Sequence, residues 1–241
     1  MRNLFLFVIA LLSFTSSDLF AQKKQKNYYV KLSTDSGSCI IRLYNSTPLH
    51  RDNFIKLTEQ HFYDSLLFHR VIKGFMIQGG DPTSKNATSD KTLGDGDVGY
   101  TVPAEFKDSL FHRKGVLAAA RDNNPAKASS GCQFYIVQGK KYTEADIDRV
   151  EQKRLNGYKI PAYQREIYKT EGGTPFLDQN YTVYGEVAEG LEMVDKIAST
   201  KTDKSDRPVQ DIRMKVELLS KKEVRRFEKK LKKEKKPISA L

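Results

Sequence analysis

Cysteine is scarce in this sequence. Only Cys39 and Cys132 occur in 241 residues, each in an apolar, strand-like stretch. Two cysteines make no disulfide framework, and the lack of Cys-x-x-Cys excludes thioredoxin-like chemistry. Two buried free thiols are expected, with a single bridge as the alternative. Histidine is also rare. His50, His61, His69 and His112 show no metal-binding spacing such as H-E-x-x-H. No G-x-S-x-G element offers a hydrolase nucleophile. Acidic residues are outnumbered, and the formal net charge is +11. Ten basic against three acidic residues between Ser220 and Leu241 carry +7 of it. The body of the chain is near balance, so its charge says little about partners.

Long apolar runs are confined to one. Arg2, the run Leu4–Leu12 (LFLFVIALL) and the small, polar stretch Ser13–Ala21 have the layout of an export signal cut after Ala21. The run is short for a spanning helix, although an uncleaved anchor is the alternative. No cysteine follows it to carry a lipid. The expectation is an exported protein, periplasmic in a Gram-negative source and otherwise secreted.

The most informative stretch is Phe68–Asp81, FHRVIKGFMIQGGD. Its alternation predicts strand, interrupted at Lys73-Gly74, so a strand pair is expected. Side chains two apart on a strand share a face. One wall then presents Arg70, Gln78 and either Phe75 or Met76. An arginine beside large apolar groups gives a dry pocket with one strong donor fork. Read alone, the same residues also fit a half-buried strand with a solvated arginine.

This segment resembles the signature of the cyclophilins, the β-barrel peptidyl-prolyl cis-trans isomerases, with Lys73 where many members carry proline. The resemblance covers Tyr28–Leu219 apart from 140–173. It implies a mainly β fold: a closed, eight-stranded antiparallel barrel capped by two helices. It further implies Arg70 and Gln78 as catalytic, and a proline pocket of Phe75, Met76, Ala120, Gln133, Tyr135, Phe176, Leu177 and Tyr181. Tyr135 stands where phenylalanine is commoner, so its hydroxyl must find water or a partner. Phe176 and Tyr181 replace the tryptophan and histidine of many eukaryotic members, which should blunt binding of cyclosporin-type macrocycles. No cofactor or metal is implied. The partners implied are proline-containing unfolded or partly folded chains, and a monomer is expected. The rival is a non-catalytic proline-binding module or holdase chaperone on the same barrel.

The rest of the chain fits around that segment. Tyr28–Leu32 and Ser38–Tyr44 read as strands joined through Thr34-Asp35-Ser36-Gly37. Pro48 opens a helix of about a dozen residues. Gly94–Gly99 (GDGDVG) matches G-x-G-x-x-G, but an extended stretch follows it, so nucleotide binding is rejected. Gly115–Arg121 and Gln133–Val137 read as short buried strands. His69 is expected to be a hydrogen-bonded structural residue rather than a base. Lys140–Gly173 has helical period, with a capping pair Thr143/Asp146 and apolar Ile147, Val150 and Leu155. A second helical run carries Tyr163 and Ile167. This stretch is expected to be a helical insertion beside the site. Leu191–Ala198 is a further helix and Val209–Leu219 the last strand. The basic tail, 220–241, can form an amphipathic helix with Val224, Phe227 and Leu231 on one side. It offers contact with an anionic surface, or it is a solvated, frayed end. Aromatics for base stacking are missing there, so no specific nucleic acid is expected.

Overall fold

The computed structural model describes residues 26–234. The expected export signal, 1–21, lies outside the described residues, as do 235–241.

The chain opens with a hairpin of β1 (Tyr28–Thr34) and β2 (Gly37–Leu43), paired in register from Tyr28↔Leu43 to Thr34↔Gly37. Val30 and Leu32 of β1 are buried while Lys31 between them is exposed, as a one-sided strand requires. Helix α1 (Pro48–Glu59) follows, with proline in its first turn and His50, Phe54, Leu57 and Thr58 turned inward. A second hairpin, β3 (Arg70–Ile72) and β4 (Met76–Gly79), turns through Gly74 at φ +77°. Then come β5 (Thr101–Val102), β6 (Val116–Ala119), β7 (Ser129–Ser130) and β8 (Phe134–Val137). Helices α2 (Glu144–Lys153) and α3 (Ala162–Thr170) precede β9 (Val183–Glu189). Helix α4 (Leu191–Ala198), β10 (Lys215–Leu218) and α5 (Lys221–Glu234) complete the described chain.

Eight strands form one antiparallel sheet in the order β10-β1-β2-β9-β6-β8-β4-β3, and β5 pairs with β7 apart from it. The sheet curls around a core of Val30, Leu32, Ile41, Phe54, Phe68, Ile77, Phe134 and Tyr184, closed over by α1 and α4. Burying one such side chain contributes about 1.5–3 kcal/mol. The expected closed barrel is corrected to an open, curled sheet, a half-barrel. Its edge strands β3 and β10 share no ladder. Only the isolated bridge Leu67↔Arg213 and a few backbone bonds, such as Phe68 N–H to Ile212 O at 3.0 Å, cross the seam. Ser65, at φ +69°, turns the chain just before this point, and opposite β3 residues 203–212 run as turns and loop, with Asp206 at φ +62°, so β10 begins too late to form a ladder with β3.

Five helices are present among the described residues. Two close the core, two lie within the expected insertion, and α5 docks the basic tail on the sheet. The last strand is shorter than expected, because Val209–Met214 runs as loop, with Val209 exposed. The insertion forms a small core of Tyr142, Ile147, Leu155, Ile160 and Tyr168, joined by Phe111 from outside it. Thr143 and Asp146 form the capping box expected for α2. The second helical run is α3, in which Tyr163 is 55% exposed. Gln164 and Tyr168 turn inward because each has a polar partner there: Gln164 donates to Asp108 O at 2.6 Å and Tyr168 to Asp178.

Candidate active site

The site is a row of residues in register across the outer face of the sheet. Arg70 of β3 lies opposite Gln78 of β4. Gln78 pairs with Tyr135 of β8, Tyr135 with Ala118 of β6, and Ala118 with Val183 of β9. Side chains that face one another across a ladder point the same way. The neighbours Val71, Ile77, Phe134 and Ile136 point into the main core instead. Strand alternation therefore divides this sheet between the main core and a second, smaller apolar cluster of Met76, Ala118, Tyr135, Leu177 and Val183 under the pocket.

Over that cluster a cavity of about 170 Å³ is lined by Arg70, Phe75, Met76, Gln78, Ala120, Arg121, Tyr135, Leu177 and Tyr181. Eight of the expected site residues thus meet in one place. The other two lie beside it. Phe176 leans on Phe75 with ring centroids 5.5 Å apart. Gln133 lines a larger adjoining cavity of about 700 Å³, which shares Gln78, Ala120 and Arg121 with the first.

Polar groups are sparse and each is placed. Arg70 Nη1 lies 3.5 Å from Gln78 Oε1, and its Nε lies 3.6 Å from Asp206 Oδ2. The arginine side chain is 44% exposed, so its fork remains open to a ligand. Gln78 Nε2 donates to Gln133 Oε1 at 3.1 Å, and Gln133 Nε2 donates to Gly94 O at 2.7 Å and Gly96 O at 2.8 Å. Asp81 accepts from the Gly94 N–H at 2.6 Å and from Thr83 N–H at 2.7 Å. Burial opposes the charge on Asp81, yet the Gly94 and Thr83 donors outweigh it and hold the carboxyl below its ordinary range. The glycine-rich loop that resembles a dinucleotide fingerprint is thus bolted to the site. The next regular element after it is β5, not a helix.

Sequence reasoning missed several groups here. Arg121 lines both cavities, and its guanidinium carbon sits 4.7 Å over the Tyr181 ring. His112 and Asp178, both buried, stand behind Tyr135. For His112 the signal was the Tyr135 hydroxyl, which demanded a partner; Asp178 closes Phe176-Leu177-Asp178, which resembles the aromatic-Leu-Asp element at the edge of the family's pocket. His69 departs from expectation: both its ring nitrogens are buried without a hydrogen-bond partner among the described residues. Burial drives its pKa down to about 4, so it is neutral and takes no part as an acid at neutral pH.

Residues 29–217 match the family model described as "Cyclophilin type peptidyl-prolyl cis-trans isomerase/CLD". The chain belongs to the cyclophilin-type peptidyl-prolyl cis-trans isomerases. A curated Staphylococcus haemolyticus protein named as a peptidyl-prolyl cis-trans isomerase is 34% identical over 184 residues, 76% of this chain and 86% of the relative. A Staphylococcus aureus protein of the same name is 34% identical over 190 residues, 78% of this chain and 90% of the relative. Among solved structures, a cyclophilin-type isomerase of Cryptosporidium parvum superposes with a TM-score of 0.58, over 81% of this chain and 99% of its own. The same cyclophilin solved in the presence of the dipeptide Ala-Pro gives a TM-score of 0.57 over 80% of this chain and 99% of its own. At 24% identity that likeness speaks for the fold: a mainly β cyclophilin with a curled eight-stranded sheet.

Proposed function

We propose that this cyclophilin is an exported isomerase that turns Xaa–Pro bonds in folding proteins, with Arg70 as its electrostatic donor. Rotation about the bond faces a barrier of about 20 kcal/mol, because amide resonance must be lost. In the twisted state the proline nitrogen becomes pyramidal and basic. A donor aimed there binds the transition state better than the planar ground state. The observation that carries this reading is the placement of Arg70 opposite Gln78, beside a cavity walled by Phe75, Met76, Tyr135 and Leu177. That cavity suits a proline ring, and a bound peptide would displace water from the guanidinium and strengthen it. An acceleration of about 10⁴ needs roughly 5–6 kcal/mol, within reach of one charged donor and desolvation. No covalent intermediate is needed.

Proline-containing segments of unfolded or partly folded chains are the substrate class. The Ala-Pro dipeptide present with the Cryptosporidium relative supports it. Export rests on Arg2 and the apolar run Leu4–Leu12, and places the work in the periplasm or outside the cell. The cationic side of α5 offers contact with an anionic surface.

The test is exchange NMR on an Xaa–Pro peptide with the mature chain and with Arg70→Ala. Acceleration by the wild type, slowed at least about tenfold in the variant, supports the reading. A peptide that binds without faster exchange would replace it with a proline-binding module.

A further inference from the structure

Tyr135 carries a hydroxyl into the floor of the proline cavity, where apolar neighbours leave it few partners. Its partner is His112 Nε2, 2.9 Å away, with the two rings stacked at 14°. On the other side of the imidazole, Nδ1 lies 2.9 Å from Asp178 Oδ1, and the His112 backbone N–H donates to the same oxygen at 2.9 Å. Asp178 Oδ2 accepts from the Tyr168 hydroxyl at 2.6 Å. All four residues are buried. A carboxylate only accepts, so Nδ1 carries the imidazole proton. Nε2 is the partner of the Tyr135 hydroxyl, and in the Nδ1–H tautomer it accepts the Tyr135 O–H. Burial pushes both phenols well above their ordinary pKa, so both remain donors.

The two ends of this relay belong to different parts of the molecule. Tyr135 is the pocket floor. Tyr168 lies in α3, at the centre of the insertion's small core. Asp178 immediately follows Leu177, which lines the same cavity. The insertion returns to the sheet across His112. Thr174 N–H donates to His112 O at 2.8 Å, and a Cβ on Gly173 would stand 2.3 Å from that carbonyl. A second hold is independent of the relay: Arg154 at the end of α2 sits 5.5 Å over the Phe176 ring, which leans on Phe75.

We propose that the α2–α3 insertion is a positioning element for isomerisation, with Tyr168 setting the Tyr135 ring and Leu177 against the substrate's proline through Asp178 and His112. The proposal rests on the isomerase reading of this cavity. Without the Tyr168 hydroxyl, Asp178 loses one of its three hydrogen bonds, the one on Oδ2, and its carboxylate can pivot about Oδ1. The imidazole then loses its fixed direction, and the Tyr135 hydroxyl is free to swing toward the apolar wall. Pocket walls grip the proline in the ground state and the transition state alike. Loosening them should therefore weaken binding rather than slow turnover.

The experiment is steady-state isomerisation of an Xaa–Pro tetrapeptide by the full mature chain, with KM and kcat separated and thermal melting run alongside. Tyr168→Phe keeps the ring and removes the hydroxyl. It should raise KM roughly three- to tenfold and leave kcat within about twofold. In a Tyr135→Phe background no phenol remains to be placed, so the same change should have less than half its effect on log KM. An inactive wild type would defeat the isomerase reading itself. An active wild type whose KM is untouched by Tyr168→Phe overturns the positioning role, as does an equal effect in both backgrounds. Should Tyr168→Phe fail to fold, Arg154→Gln tests the second hold from an exposed position. A KM rise of about twofold or more supports the proposal, and an unchanged KM overturns it.

Discussion

Gln78 of β4 reaches Gln133, the residue just before β8, with Gln78 Nε2 donating to Gln133 Oε1 at 3.1 Å. Gln133 then spends its own amide hydrogens on Gly94 O and Gly96 O. One side chain therefore orients the partner of Arg70 and fixes the loop beyond it. Gln133→Leu keeps the volume and deletes both roles. The lost orientation is worth about 1–2 kcal/mol, so kcat/KM should fall roughly tenfold with little change in melting temperature. Full activity in the leucine variant would show that Gln78 is held by other means.

His69 makes a pH prediction. Its folded pKa is about 4 against an ordinary 6.5; burial is the main cause, with Arg70 and Arg207 adding to it and Asp81 opposing. The unfolded chain therefore binds the proton more readily. The stability at stake is fully present above about pH 6.5 and is lost as pH falls toward 4, at most roughly 3 kcal/mol. His69→Gln should flatten the fall in denaturation midpoint across that window. A slope as steep as the wild type's would move the titration to another group.

Much of the site was legible because it is built from short-range pattern. The Arg70–Gln78 hairpin follows from alternation around Gly74, which puts Arg70 and Gln78 on one wall with either Phe75 or Met76; the structure brings both to the cavity. What escaped depends on distance along the chain. Asp178 lies 66 residues from His112, and no local rule pairs them. The phase of α3 is set at a distance too. Ranking by hydrophobicity favours Tyr163, whereas the buried side is chosen by hydrogen-bond partners of Gln164 and Tyr168. Closure of the sheet was overestimated because it turns on how β3 meets β10 near Ser65, a meeting of distant segments.

The two cysteines are free and buried, one in β2 and one just before β8. Burial pushes the Cys39 thiol up to about 12 and the Cys132 thiol to about 11. Thiolate is the reactive form, so both should ignore an aromatic disulfide reagent in the folded protein at pH 8. Under denaturant without reductant, both should react at once. Fewer than two thiols per chain in that assay would mean a bridge had formed.

Helix α5 separates stability from catalysis. Val224, Phe227 and Leu231 turn toward the sheet, and Phe227 meets Tyr29 edge-on with centroids 5.2 Å apart. Lys230 pairs with Glu189, and Asn27 donates to Glu228 at 2.6 Å. The aromatic contact lies on β1, three strands from β6, and Lys230 meets β9 at Glu189, the end of that strand opposite to Val183. Phe227→Ala should lower stability by about 2 kcal/mol in chemical denaturation and leave kcat/KM within about twofold. Because the apolar stripe is occupied by the sheet, α5 presents Lys222, Arg225, Arg226, Lys229, Lys232 and Lys233 to solvent without burying itself in lipid. Binding to anionic vesicles should then be electrostatic, about 1 kcal/mol per cation near the surface, and should vanish in high salt. Deleting 221–241 should abolish it while isomerisation persists. Vesicle binding that survives high salt would instead mean that the helix undocks and inserts its apolar side.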